Sequence, residues 1–389
     1  MAQRNSKVTE KRSFFLRVVG PIFCTVFAVY LSNQLFRFAN LPPLILLAAV
    51  AWVFFVVFWI LFVVLYFWLN PNYHESKIAV KLQQAGNFAQ GYFSYLFTFV
   101  FFRDVASFFA YLIGREIFIY NQAEAFFILA APPILMFLGR LMVFLGPFNR
   151  RIKIRKPHLK KDLQGLRIVQ LSDIHIGPGV SRAKINSIIK QTNRLEPDII
   201  ALTGDIVDHL DHWFSEEIND LRKLKAKYGV FYVPGNHEYY WGFHPIIEKI
   251  RNLGISVLLN SNEKIQIGSA SFAVCGVTDL AAKYFSLEGP SFEKAIHGVE
   301  NCDFKLVLSH HPKTADEARH YKFDLQLSGH THGGQFIPWS LMIRLFQKYT
   351  MGLYQLGSMK LYVNRGTGYW GPPDRLGTFS EITSLTLVD

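Results

Sequence analysis

Two kinds of residue are scarce in this chain of 389 residues: cysteines and charged side chains. The three cysteines, Cys24, Cys275 and Cys302, include no pair with metal-binding spacing, which excludes a thiolate metal cluster and a disulfide framework. So few thiols are weakly consistent with a reducing compartment. Charged residues make up only 18% of the chain, whereas hydrophobic residues make up 50%. This balance is too apolar for a wholly soluble protein and predicts membrane segments.

Four apolar stretches predict a transmembrane region over residues 1–149, with about four helices at 14–36, 44–69, 92–114 and 125–148. The stretch 44–69 has no charge and is long enough to cross a hydrocarbon core of roughly 30 Å. The stretch 14–36 begins like a signal peptide, but no clear cleavage site follows, so we interpret it as an uncleaved anchor. Pro132 and Pro133 predict a kink in the last stretch.

The stretch 92–114 is interrupted by Arg103 and Asp104. Each buried charge costs about 2.5–3.5 kcal/mol on insertion scales. Neighbours in sequence do not share a helix face, so we expect that these two do not neutralise each other. Two interpretations stay open: a span whose polar pair faces other helices, and two short apolar pieces lying in the membrane interface.

Basic residues flank the apolar half on both sides. Arg4, Lys7, Lys11 and Arg12 precede it, and residues 150–161 contain seven basic residues with no acid before Asp162. The positive-inside rule places both flanks in the cytoplasm, which requires an even number of crossings and predicts a cytoplasmic C-terminal domain. We interpret 150–164 as a basic linker that either contacts anionic headgroups or only fixes the topology.

From residue 165 to 389 the pattern is that of a soluble α/β domain. Short apolar runs alternate with a helical segment at Ser181–Leu195, and further strand-like runs then follow one another to Val388. This order predicts an α/β fold with two packed mixed β-sheets flanked by helices. The basic residues are not interleaved with aromatic ones, so no nucleic-acid partner is expected.

Polar motifs follow the predicted strands, nearly all directly after a strand end. The ends of strands in α/β sheets converge on one crevice, so we expect these side chains to meet. Carboxylate and imidazole donors without thiolate suit Mn, Fe or Zn, and Asn adds a neutral oxygen. The sequence therefore predicts a site for two divalent metal ions, with seven candidate ligands: Asp173, His175, Asp205, Asn236, His310, His330 and His332.

These motifs resemble the calcineurin-like metallophosphoesterase superfamily. The resemblance covers roughly residues 166–389 and rests on Ser172-Asp-Ile-His175, Thr203-Gly-Asp205, Pro234-Gly-Asn-His-Glu238, Ser309-His310 and Ser328-Gly-His-Thr-His-Gly-Gly-Gln335. The last motif, together with Asn364-Arg-Gly-Thr-Gly-Tyr-Trp-Gly-Pro-Pro373, is similar to membrane-associated phosphodiesterases of that superfamily.

The resemblance implies a role for each matched residue. Asp173, His175 and His332 would hold a first metal, Asp205 would bridge, and Asn236, His310 and His330 would hold a second. His237 would protonate the leaving oxygen or stabilise the transition state, without ligating a metal. A bridging hydroxide would attack the phosphorus of a phosphodiester or pyrophosphate. Phe379-Ser-Glu381 departs from the family's usual Pro-Glu, which affects the pocket edge and not the metals.

Three functions stay open. The domain starts close after the last apolar stretch, which favours a lipid-linked phosphoester, and relatives that cleave UDP-diacylglucosamine show that such substrates are feasible. The alternatives are a general phosphodiesterase on soluble esters and a non-catalytic metal-binding membrane scaffold. Arg365 and Arg375 are candidate phosphate contacts, with a structural salt bridge as the other interpretation. Tyr239, Tyr240 and Trp241 are candidates for an acyl pocket, for contact with the membrane interface, or for core packing.

Overall fold

The structure is a computed structural model that describes residues 77–115, 122–177, 179–208 and 215–389, together with Val26, Tyr30, Pro42 and Trp52. It divides into two compact units. The first comprises Met1–Leu141 and Gly371–Asp374, and the second comprises Met142–Trp370 and Arg375–Asp389. The predicted stretches 14–36 and 44–69 lie outside the described residues, apart from Val26, Tyr30 and Trp52.

Two long helices are described in the first half of the chain, α1 (Lys77–Leu112) and α2 (Gln122–Leu145). Val80–Leu112 and Phe126–Leu145 are long and apolar enough to cross a membrane by length and composition. Helix α1 begins well before the predicted start at residue 92. The prediction missed this part of the helix because Lys77–Gly91 contains both polar and apolar residues and lacks the uniform hydrophobicity on which the prediction relied. Helix α2 contains Pro132 and Pro133 and is assigned as one continuous helix.

The charged pair in α1 does not break the helix. The Arg103 guanidinium donates to Oδ1 of Asp104 at 2.7 Å from Nη2 and 2.9 Å from Nε. Tyr30 donates its hydroxyl to the other Asp104 oxygen at 2.6 Å, and Glu124 lies 3.8 Å from Arg103. The expectation that these neighbours cannot neutralise each other was therefore wrong, because a long arginine side chain folds back onto the carboxylate beside it.

The second unit is built on two six-stranded sheets, as the sequence predicted. The first sheet has the order β1-β12-β2-β3-β4-β5 and the second has the order β10-β11-β9-β8-β7-β6. In the first, β2, β3, β4 and β5 run parallel, and in the second, β7, β8, β9 and β11 do. The strands are β1 (Phe148–Arg155), β2 (Arg167–Leu171), β3 (Ile199–Thr203), β4 (Val230–Val233), β5 (Ser256–Val257), β6 (Ser261–Ile267), β7 (Ala270–Gly276), β8 (Phe304–Leu308), β9 (Leu325–Ser328), β10 (Gly352–Leu356), β11 (Met359–Val363) and β12 (Glu381–Val388).

Short helices cover the sheets and connect the strands. Helix α3 begins at Arg182, where the Ser181 hydroxyl accepts from the Lys184 amide, and its buried isoleucines recur at helical spacing. The α-helices of this unit are α3 (Arg182–Arg194), α4 (Ser215–Asp220), α5 (Asn236–Trp241), α6 (Phe243–Arg251), α7 (Phe292–Ile296), α8 (Ala315–Ala318) and α9 (Trp339–Phe346). Short 3-10 helices lie at Lys161–Leu163, Leu221–Lys223, Leu280–Phe285, Pro312–Thr314, Arg319–Tyr321 and His332–Gly334.

The predicted basic linker is in part a β-strand. Phe148–Arg155 forms β1, which pairs in parallel with β12 at the edge of the first sheet. Ile152 and Ile154 alternate with basic residues, so Ile154 is buried and the charges stay outside. The prediction missed this strand because two isoleucines among arginines and lysines carry little hydrophobic signal. Arg151, Lys153 and Arg155 remain exposed, as a headgroup contact would require.

The hydrophobic core lies where the two sheets face each other. It includes Ile168, Phe231, Val274, Leu306 and Leu385, all buried. A close-packed sandwich of this kind fixes the carboxyl ends of β2, β3, β4, β8 and β9 along one edge. The functional residues follow those strand ends.

Candidate metal centre

The turns that present the candidate ligands have unusual backbone geometry. Five of the seven ligands have positive φ: Asp173 (52°), His175 (54°), Asp205 (50°), His330 (70°) and His332 (50°). Residues with a Cβ avoid this left-handed region, at a cost of order 1–3 kcal/mol each. Strain concentrated in this way marks a functional site, because packing elsewhere in the fold must maintain it.

Asp173, His175 and His332 form one cluster, with ligand atoms within 4.8 Å of one another. The Nε2 atoms of His175 and His332 lie 3.0 Å apart, and His332 Nε2 lies 3.3 Å from Oδ1 of Asp173. All three side chains are almost fully buried. The structure thus brings together the three residues that were predicted to hold the first ion.

Asp205, His310 and His330 form a second cluster. His310 Nε2 lies 3.1 Å from Oδ2 of Asp205, and its Nδ1 lies 2.8 Å from the Thr203 carbonyl. Asn236 presents its side-chain oxygen 2.9 Å from Nδ1 of His330. The four residues predicted for the second ion and the bridge therefore lie together as well.

The electrostatics of the two clusters leave carboxylates charged. His332 and, after it, His310 lower the pKa of Asp173 against the effect of burial. Burial also opposes ionisation of Asp205, but His310 and His237 hold its pKa well below the usual range. Burial lowers the pKa of His332 to about 4, so this ring is neutral at pH 7. Burial and, after it, the charge of His310 also lower the pKa of His330.

These donors fit divalent metal ions. Two imidazole nitrogens that face each other at 3.0 Å beside a carboxylate have more lone pairs than protons to share. Ligand atoms lie this close together when each is bound to one metal at about 2.0–2.2 Å. Buried carboxylate, imidazole and amide oxygen donors without thiolate suit Mn, Fe or Zn.

Asp208 is a functional residue that the sequence prediction missed. One oxygen of its carboxylate, Oδ1, lies 2.8 Å from Nδ1 of His175 and 2.8 Å from Nδ1 of His237. It therefore orients a candidate ligand and the candidate catalytic histidine together. The available signal was an acid three residues after Asp205 in the same strand-end loop.

His237 is the second residue of helix α5 and lies close to Asp205 and His175. Its amide donates to Oδ1 of Asp205 at 2.9 Å, and its Nε2 lies 3.9 Å from Oδ2 of the same residue. Burial disfavours the charged ring, but Asp205 and Asp208 outweigh it and raise the pKa of His237 to about 9. Tyr240 and Trp370 flank the ring, with centroids 5.6 Å and 5.5 Å away. Both aromatic rings are partly exposed, so they form the mouth of the site.

Glu238 fixes the loops underneath. Its Oε2 accepts from the amides of Gly235 at 2.7 Å and Asp205 at 3.0 Å, and its Oε1 accepts from Ile206 at 2.8 Å and Val207 at 3.1 Å. One buried carboxylate thus joins the loop after β3 to the loop after β4. Gly204 must be glycine there, because a Cβ would lie 2.6 Å from the Gly235 nitrogen.

The two arginines proposed as phosphate contacts lie elsewhere. Arg375 is fully buried and donates from Nη1 to the carbonyls of His332 at 3.1 Å and Arg365 at 2.7 Å, and from Nη2 to the carbonyl of Gly368. It supports the His332 turn and does not face the mouth. The Arg365 amide donates to Glu381 at 3.2 Å, and its guanidinium lies 3.9 Å from the same carboxylate. The structural interpretation fits both residues better.

Two aromatic residues close in sequence to candidate site residues, His311 and Tyr239, pack against neighbouring rings. His311 stacks on His330 with centroids 4.2 Å apart and accepts from the Lys313 amide. Tyr239 is buried and stacks on Phe243 at 4.5 Å, so it belongs to the core.

Comparison with known proteins identifies the pattern. The family model for calcineurin-like phosphoesterases matches residues 166–334. A metallophosphoesterase of Helicobacter pylori strain J99 is 35% identical over 262 residues, which cover 64% of this chain and 70% of that protein. A transmembrane protein with metallophosphoesterase domain from Danio rerio is 34% identical over 245 residues, covering 61% of this chain and 56% of that protein.

The solved structures similar to this chain include an archaeal phosphodiesterase. The match has a TM-score of 0.30 at 13% sequence identity and covers 52% of this chain and 84% of the other.

Proposed function

We propose that this chain, which belongs to the calcineurin-like phosphoesterase family, is anchored in a membrane and uses two divalent ions to hydrolyse a lipid-linked phosphodiester or pyrophosphate. Membership of the family makes it a hydrolase of phosphoric esters. The observation that carries the two-ion proposal is the pair of adjoining donor clusters. One link between them is the His330 amide, which donates to the Asp173 carboxylate at 3.0 Å.

In this proposal, Asp173, His175 and His332 hold one ion, and Asn236, His310 and His330 hold the other. Asp205 would bridge the two sets, because its carboxylate lies against His310 of the second set and its backbone carbonyl accepts from the His175 amide of the first set at 3.0 Å. When bound, the two ions would polarise the phosphoryl group and make an attacking water more acidic.

The proton on the leaving oxygen would come from His237. Its Nδ1 is held by Asp208, so Nε2 is the nitrogen that faces the reaction space. The Asp208 carboxylate beside Nδ1 favours the protonated ring and raises the pKa of His237, as a general acid requires. Tyr240 and Trp370 would keep bulk water away from that proton.

The membrane part of the proposal rests on the helices. Two helices have the length and composition of membrane spans, and relatives of this chain are named as transmembrane proteins. Helix α2 ends at Leu145. The first strand of the second unit, which we call the catalytic unit, begins at Phe148. A catalytic unit tethered this closely works near the headgroups, which favours a lipid-linked substrate over a soluble ester.

A two-stage assay tests the substrate class. Purified full-length protein with Mn is first assayed on bis-p-nitrophenyl phosphate, with Asp205→Ala as the inactive control. It is then incubated with fractionated membrane lipid, with phosphate release and mass spectrometry as readouts. Turnover of a lipid fraction supports the proposal. Turnover of bis-p-nitrophenyl phosphate and of no lipid fraction would favour the general phosphodiesterase, and turnover of neither would favour the scaffold.

We propose a cytoplasmic catalytic unit, from the basic flanks of the apolar half and four crossings. Protease protection of sealed vesicles tests this. Cleavage within the catalytic unit from the cytoplasmic face alone is expected, whereas cleavage from the opposite face alone would overturn the orientation.

A further inference from the structure

Helix α9 presents its apolar residues outward. Leu341 and Leu345 are 65% and 78% exposed, and Phe346 is 75% exposed, whereas the inward-facing Ser340 is buried. A helix that packs onto a soluble domain normally has the reverse arrangement, with its apolar stripe on the core. We call the four exposed apolar side chains of this helix the apolar ridge: Trp339, Leu341, Leu345 and Phe346.

The exposed apolar surface continues beyond the helix. Ile337 precedes α9, is 38% exposed, and donates its amide to the Leu376 carbonyl at 2.9 Å. This hydrogen bond holds Leu376 beside Ile337. The chain continues from Leu376 to Phe379, which is 48% exposed. The ring of Phe379 packs against that of Phe148 with centroids 5.5 Å apart. Phe148 begins β1, so the surface extends to the first strand of the catalytic unit.

The position of Phe148 in the chain points to a lipid occupant. The candidate span Phe126–Leu145 ends three residues earlier, and three residues reach at most about 10 Å. The Lys184 ammonium donates to the Val143 carbonyl at 2.7 Å, and so caps the last turn of that span with a positive charge. A span end with a capping cation and a nearby aromatic residue is the arrangement found at the boundary between hydrocarbon and headgroups.

The composition of the ridge suits the same occupant. Trp339 and Phe346 are aromatic, and the exposed Arg344 lies between the apolar residues. Apolar and aromatic residues with a basic one on a short amphipathic helix are typical of elements that lie in the membrane interface. Arg151, Lys153 and Arg155 on the exposed side of β1 add positive charge for anionic headgroups.

The ridge is joined directly to the metal site. Gly334, two residues after His332, packs on α9 so closely that a Cβ there would lie 2.5 Å from Cα of Ser340. Gln335 exchanges two hydrogen bonds with the backbone of Trp370, at 2.8 Å and 2.9 Å, and Trp370 flanks His237 at the mouth. The segment Gly334–Gln335 thus connects helix α9 with the mouth of the site.

We propose that the apolar ridge inserts into the interfacial layer of the bilayer and holds the mouth of the metal site against the headgroups. This inference rests on the membrane anchoring in the proposed function, but not on the identity of the substrate. It goes beyond a tether, because it assigns a second membrane contact to the catalytic unit itself.

Fluorescence quenching in lipid nanodiscs tests the proposal on the full chain. Cys275 and Cys302 are buried, so a Cys24→Ser background with Leu345→Cys accepts a fluorophore at the ridge. The nanodiscs contain phosphatidylcholine and phosphatidylglycerol, with or without doxyl-labelled phosphatidylcholine. The matched control is Lys264→Cys, an exposed position on the edge strand β6.

The doxyl lipid is expected to quench the label at position 345 about twofold or more over the control, as for an element at the acyl boundary. The double change Leu341→Ser and Phe346→Ser should bring quenching at position 345 down towards the control value. Equal quenching at positions 345 and 264 overturns the proposal. A blue-shifted but unquenched label at 345 also overturns it, since protein and not lipid then covers the ridge.

The experiment distinguishes failure of the proposed membrane anchoring from failure of the proposed insertion of the apolar ridge. Failure of the protein to float with lipid vesicles before labelling counts against the anchoring. Stable insertion without quenching counts against the ridge alone, whatever the activity on bis-p-nitrophenyl phosphate.

Discussion

Nδ1 of His237 lies 2.8 Å from a carboxylate oxygen of Asp208. The same oxygen contacts Nδ1 of His175, so one acid serves a candidate ligand and the candidate acid catalyst. Replacing His237 by Ala should lower kcat by about 10²–10⁴, because general acid catalysis contributes that much. The same change should leave Mn binding intact, because His237 is not one of the candidate ligands. Replacing Asp208 by Ala should lower kcat and also weaken Mn binding by about 10–100-fold.

Steady-state kinetics and Mn titration by calorimetry measure both effects. Asp316→Ala is a suitable control, since that acid pairs with Lys348 on the surface away from the ligands. If His237→Ala and Asp208→Ala weakened Mn binding equally, His237 would be a ligand and our division of roles would be wrong.

Loss of the shared carboxylate should remove both ions together. Asp205 lies against His310 on one oxygen and accepts from the His237 amide on the other. The Asp205→Ala protein should therefore lose most of its bound metal and have no detectable turnover. Metal content by mass spectrometry after gel filtration checks this, with the wild-type protein stripped by chelator as the reference. Retention of one full equivalent of metal would argue that Asp205 does not bridge.

The site was largely predictable from the sequence, because each ligand follows a strand and parallel strands end on one edge. The strand-like runs predicted over 166–388 correspond to nine of the twelve strands, with ends that differ by at most two residues. What the sequence could not reveal depends on partners far along the chain. The basic strand β1 is stabilised by pairing with β12, and nothing local marks it.

The same reason explains why the sequence left two interpretations open for Arg365 and Arg375. Arg375 looks available for phosphate in a glycine-rich loop, yet folding buries it among backbone carbonyls. Asp208 was missed because its role depends on where His175 and His237 lie in space. Helix α9 was missed because its apolar residues do not face the core, so its pattern cannot be assigned from core packing.

Glu238 should be essential for stability even though it touches no ligand side chain directly. Its two oxygens accept from four backbone amides in the loops after β3 and β4. The Glu238→Gln change replaces one accepting oxygen by an amide group, which leaves two buried donors unpaired at about 1–3 kcal/mol each. The free energy of unfolding should fall accordingly in chemical denaturation.

The matched control is Glu293→Gln on the exposed start of α7. A surface change of that kind should alter the unfolding free energy by no more than about 0.5 kcal/mol. Equal effects of the two substitutions would show that the Glu238 carboxylate is dispensable for joining the loops.

Arg375 should act on metal affinity through the His332 turn. Its guanidinium donates to the carbonyls of His332, Arg365 and Gly368, and lies 3.3 Å from Nδ1 of His332. The Arg375→Met change keeps much of the volume but removes every donor. Hydrogen bonds from a charged group contribute about 1.5–3 kcal/mol each, so the metal-free protein should melt at a clearly lower temperature. Mn affinity should fall by about 10–100-fold, as for other groups that orient a ligand.

Thermal unfolding with and without Mn separates this role from phosphate binding. If Arg375 positions the turn, saturating Mn should restore part of the lost stability in Arg375→Met and leave KM near the wild-type value. If Arg375 binds phosphate instead, the variant should have an unchanged unfolding temperature and a raised KM. Arg319→Met, on the exposed end of helix α8, controls for the loss of one positive charge. The wild-type geometry favours the first outcome, because the Arg375 side chain is fully buried behind His332, where a substrate at the mouth cannot reach it.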